Sequence, residues 1–136
     1  MTRLAAAIVP LVLALAALLT ACGGDAPPPT ETAERPDQAL EAIAALFEAG
    51  DFDALVRTRY AEIEKAENEE QIEGLVARFG TRFADDATRA EAVAIYRSLR
   101  GTAPELSAEG DVATFRVGDG FVKLSRMADG RWGFHL

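Results

Sequence analysis

The apolar residues of this chain change their period once, and that change limits the fold more than any other feature. From Pro36 to Leu99 they recur every three or four positions, and from Val112 onward every second one. The longer interval keeps side chains on one face of a helix, the shorter on one face of a strand. Helices therefore come first and strands last. That order defines an α+β chain, not one in which the two alternate.

Four helical stripes are readable. Leu40, Ile43, Ala44 and Phe47 form the first, opened by Pro36 and closed by Gly50. Proline is tolerated in a first turn, and glycine takes the left-handed position after a last one. Asp51 is placed to cap a second helix carrying Phe52, Leu55, Val56, Tyr60 and Ile63. Asn68 and Gln71 have capping-box spacing ahead of Ile72, Leu75, Val76, Phe79 and Phe83. Thr88 and Glu91 repeat that spacing for Ala92, Val93, Tyr96 and Leu99, and Gly101 and Pro104 end the helical half.

In the second half Ala113, Phe115 and Val117, then Val122 and Leu124, then Trp132, Phe134 and Leu136 alternate with residues of the opposite face. A two-residue Asp119-Gly120 turn pairs Phe115 with Leu124. A three-residue Ala128-Asp129-Gly130 loop opposes Phe134 with Leu124 and leaves glycine at the left-handed bulge position. Glu105-Leu106-Ser107 adds an edge strand with Leu106 opposite Ala113. The expected fold is about four N-terminal helices packed on one face of a three- to four-stranded antiparallel C-terminal meander. Residues 36–136 suffice for one core and not for two domains.

The chain opens as a secretory signal does. Met1-Thr2-Arg3 carries one positive charge, and Leu4 to Leu19 is apolar with Pro10 as its helix breaker. An uncleaved membrane helix is the competing reading, at the lower limit of length for a span. Leu19-Thr20-Ala21-Cys22 holds the only cysteine of the chain. It resembles the lipobox of bacterial lipoprotein precursors. The resemblance implies a signal peptide over residues 1–21, cleavage before Cys22, and lipid on the Cys22 sulfur and the new amino terminus. The membrane is then a partner through that lipid. The protein is expected in the cell envelope, facing the periplasm or the exterior. Gly23, where an aspartate is associated with inner-membrane retention, slightly favours an outer membrane. Residues 22–35, with Pro27-Pro28-Pro29, read as an extended tether.

A second resemblance concerns the domain itself. Ala49-Gly50-Asp51-Phe52-Asp53-Ala54-Leu55 is similar to a helix junction of NTF2-like (SnoaL-like) domains. Phe121-Val122-Lys123-Leu124 and Asp129-Gly130-Arg131-Trp132 are similar to their terminal hairpin. Residues 56–100 depart from the family, reading as helix where it usually has strands. The resemblance implies a pocket between sheet and helices and carries over no catalytic residue.

With 14 basic and 22 acidic residues the formal net charge is −8. Nucleic acid rewards clustered cations, so it is not an expected partner. Paired carboxylates such as Asp51/Asp53 and Asp85/Asp86 stand at helix starts, where they satisfy free N–H groups. The run Glu62, Glu64, Glu67, Glu69, Glu70 and Glu73 lacks calcium-loop spacing. His135 is the only histidine and has no second imidazole or free thiol with which to share a metal. Ser98, Ser107 and Ser125 lie outside any nucleophile-elbow pattern. No cofactor is expected. The deduced register sets Arg116 beside Lys123, and Lys123 beside His135, on the polar sheet face. This basic stripe is either a solvated face or a docking site for an acidic partner. The reading that follows is a non-enzymatic, lipid-anchored domain that binds or supports another envelope component. The alternative is a small-molecule or lipid carrier with an NTF2-like pocket.

Overall fold

The computed structural model describes residues 33–136. The expected signal peptide, Cys22 and the expected tether up to residue 32 lie outside the described residues. Among the described residues no helix is long and apolar enough to cross a membrane.

Among the described residues four α-helices precede a four-stranded antiparallel sheet, so the fold is α+β. Helix α1 (Pro36–Ala49) ends at Gly50, whose φ of 66° is left-handed. Asp51 caps α2 (Phe52–Arg59) by accepting from the Ala54 N–H at 3.1 Å. Asn68 caps α3 (Glu69–Arg82) by accepting from the Gln71 N–H at 3.0 Å. Helix α4 spans Asp86–Ser98.

Two details of the helices differ from the sequence expectation. Asp85 caps α4, and the Thr88/Glu91 pair does not, because the Asp85 carboxylate accepts from both the N–H and the hydroxyl of Thr88. The second helix stops at Arg59, and its stripe does not run on to Ile63. Tyr60 turns extended and forms a parallel bridge with Phe134, and Ala61–Lys65 continue as a 3-10 turn. The exposed edge of the last strand competes for the backbone groups of Tyr60 and ends the helix.

The strands are β1 (Glu105–Leu106), β2 (Val112–Val117), β3 (Gly120–Arg126) and β4 (Trp132–Phe134), paired in chain order. Leu106 faces Ala113 and Leu124 faces Phe134, as the turn chemistry requires. Gly130 takes a φ of 86° in the second hairpin loop. In the first hairpin Val117 pairs with Gly120, so the turn is Gly118-Asp119 and not Asp119-Gly120. Primed turns need a positive φ at the first central position, and Gly118 supplies it at 55°. The register therefore moves by two: Phe115 faces Val122, and Ala113 faces Leu124. An even shift leaves every side chain on its expected face.

The stripes of α1 and α2 are buried, and α3 and α4 add Phe79, Val93 and Tyr96 to the same core. Leu40, Ile43, Phe47, Leu55, Val56, Phe115, Leu124, Trp132 and Phe134 are almost fully buried. Phe47, Tyr60, Phe79 and Tyr96 surround Phe134, with ring centroids 5.6–6.2 Å from it. Leu136, expected on the core face, is 58% exposed because β4 ends two residues before it. Arg97 of α4 reaches Glu48 of α1 at 2.7 Å and Glu41 at 3.4 Å, clamping the two helices. Glu34 is bound to the same body. Its carboxylate accepts from Arg59 at 2.7 Å and from the Trp132 N–H at 2.9 Å.

Candidate functional site

The outer face of the meander carries the side chains that alternate with the core set. Thr114 and Arg116 come from β2, Phe121, Lys123 and Ser125 from β3, and His135 follows β4. The ion pairs of the described residues involve neither Arg116 nor Lys123.

The two cations are not side by side. Arg116 stands opposite Phe121, and Lys123 opposite Thr114. The turn at Gly118 moves them to diagonal positions, about 7–8 Å apart along the backbone. Direct like-charge opposition, which the Asp119-Gly120 turn would impose, is thus avoided. Phe121 fills the place opposite Arg116 and is 70% exposed. With Glu105, Thr114 and the Gly118-Asp119 turn, these two residues wall an open cavity of about 470 Å³.

His135 lies at the other end of the face. His135 follows the last paired residue, Phe134 opposite Leu124, and is near enough to Lys123 for that charge to act on its ring. The imidazole Nε2 is 2.7 Å from Ser125 Oγ, and Nδ1 is 3.9 Å from Glu62 Oε1. Burial, the Lys123 charge and, more weakly, the Lys65 charge lower the His135 pKa from 6.5, and Glu62 opposes them. The ring is therefore neutral at pH 7. A proton on Nδ1, facing Glu62, leaves Nε2 free to accept from the Ser125 hydroxyl.

Gly133 explains how Glu62 comes so close. A Cβ at Gly133 would stand 2.9 Å from both Arg59 O and Ala61 N and 2.7 Å from Met127 Sδ. Without one, the 59–61 backbone lies directly on β4, and the 3-10 turn overhangs the outer face. Glu64 of that turn accepts from the Ala128 N–H at 2.6 Å. The acidic run is thereby divided. Glu62 faces His135, Glu64 holds a loop, and Glu69 pairs with Arg57. Among the described residues no three His, Cys, Asp or Glu side chains are grouped to hold a metal ion.

Phe121, Ser125 and Glu62 have no sequence motif. Ser125 shares the face of Lys123 at i+2 and becomes a diagonal neighbour of His135 once the register is known. Glu62 carries no such signal, because its position depends on the break at Tyr60. Compared with protein-family models, curated proteins and solved structures, the chain matches none.

Proposed function

We propose that this chain is a lipid-anchored domain of the bacterial cell envelope. Cys22 holds the membrane, and the outer sheet face docks another envelope component. The observation that carries the docking role is the exposed Phe121 ring set between Arg116 and Lys123, two cations that make no ion pair among the described residues. An apolar ring ringed by charge is the composition of an interaction patch. On a molecule of net charge −8, a local basic patch selects an acidic partner.

The carrier alternative needs an apolar cavity behind Phe115, Phe134 and Tyr96. Those residues are 0%, 0% and 7% exposed, and the rings of Phe47, Tyr60 and Phe79 occupy the space around Phe134. The packing therefore supports docking over carriage. The test is a photo-crosslinking side chain placed at Phe121 in the full-length protein in cells. One envelope protein should be trapped there, and the yield should fall at least several-fold when Arg116 and Lys123 are both glutamine. A partner trapped equally well with both charges removed, or no trapping at Phe121, overturns the reading.

A further inference from the structure

We propose that Ser125 is a nucleophile, with His135 as its base and Glu62 as the residue that orients His135, and that this site hydrolyses small esters presented at the sheet surface. Ser125 and His135, ten residues apart across one hairpin, meet Glu62 from a distant part of the chain. Ser125 lies within β3, His135 directly follows β4, and Glu62 is brought over by the 3-10 turn that Gly133 admits. The Oγ–Nε2 distance of 2.7 Å is that of a hydroxyl hydrogen bond to a base. The Nδ1–Oε1 distance of 3.9 Å places a carboxylate at the opposite ring nitrogen. Contacts of this kind are often long in free enzymes and tighten with substrate. The order of serine, imidazole and carboxylate recurs on unrelated folds and is recognised by geometry, not by sequence position.

The surroundings suit the chemistry. A neutral imidazole is the form that can take a proton, and His135 is held in that form at pH 7. Lys123, two residues before Ser125 on the same face and close enough for its charge to act on His135, supplies a positive charge for a developing oxyanion. The site is open, with the His135 side chain 31% exposed, so it suits short acyl groups and not an engulfed chain. In the first step the Ser125 Oγ–carbon bond forms while the hydroxyl proton passes to Nε2. The ester C–O bond then breaks, and the imidazolium returns that proton to the departing alcohol. Water, deprotonated by Nε2, next attacks the acyl-serine. A carboxylic acid leaves, and Ser125 is restored.

The experiment treats the full-length protein in detergent micelles with a fluorophosphonate probe and, separately, with p-nitrophenyl acetate. A covalent adduct is expected on Ser125, located by peptide mapping, and is lost in Ser125→Ala. His135→Gln should slow labelling by ~10²-fold or more. The labelling rate should rise with pH as His135 loses its proton. Glu62→Gln removes the anion that holds the ring's pKa up, so the midpoint should move to lower pH. Lys123→Gln removes a cation and should move it to higher pH. A merely structural contact would not give these opposite shifts. Absence of an adduct on Ser125 in the folded wild-type protein, or labelling indifferent to His135→Gln, overturns the proposal. The wild-type mapping decides even where a variant fails to fold.

Discussion

Gly133 and Glu34 show how much single residues decide here. A methyl group at Gly133 would meet backbone atoms of Arg59 and Ala61, which cannot swing aside as a side chain can. Gly133→Ala is expected to cost about 1–3 kcal/mol, the range for overpacking, read as a lowered denaturant midpoint. An unchanged midpoint would mean that the 59–61 segment does not lie on β4. Glu34→Ala leaves both Arg59 and the Trp132 N–H without their acceptor. Losing hydrogen bonds to a charged, largely buried group should cost about 2–3 kcal/mol. Neither role was legible in the sequence, since Glu34 falls in the stretch read as tether and Gly133 reads as one polar-face position among several. His135 offers a test by pH. Its folded pKa lies below the unfolded value of 6.5, so the native state binds the proton less readily than the unfolded chain. The stability it contributes is complete above about pH 6.5 and is lost as pH falls from there toward the depressed folded value. The urea midpoint of the wild type should therefore fall more steeply below about pH 6.5 than that of His135→Gln. Parallel curves would assign the dependence to other groups.

At the scale of elements, periodicity served best where packing and local chemistry agree. The stripes of α1, α3 and α4 and the second hairpin follow their apolar spacing and their glycines. Two elements escaped because a competing partner was invisible in one dimension. Tyr60 continues a helical stripe in sequence, yet the free edge of β4 draws its backbone into a bridge while its ring stays in the core, 5.2 Å from Phe79. The first hairpin contains Gly118 and Gly120 around one aspartate, and either glycine can serve a tight turn. Choosing Gly118 separates Arg116 from Lys123, which is why the basic stripe is looser than the sequence implied. The strand phase itself is testable. Phe134→Ala should cost ~3–5 kcal/mol, because the ring is fully buried among four others. His135→Ala, on the opposite face, should cost much less. Equal losses in chemical denaturation would show the wrong phase.

For the whole molecule, one cysteine and a filled core make complementary demands. The aromatic cluster and the ion pairs between helices hold the domain together without a disulfide. Cys22 is thus available for another use. The proposed lipid on that residue would also bear on the charge. A chain of net charge −8 is repelled by anionic headgroups at close range, so electrostatics alone would keep it off a bilayer. A covalent anchor of the kind proposed would overcome that repulsion. A single acyl chain binds membranes only reversibly, at about 0.8 kcal/mol per buried methylene, so firm retention needs two or more chains. Cys22→Ser should leave a precursor that takes up no labelled palmitate and is not cut by the lipoprotein-specific peptidase. The fold should be unchanged, because the core lies wholly within residues 33–136. Palmitate labelling that persisted in Cys22→Ser would end the anchor reading.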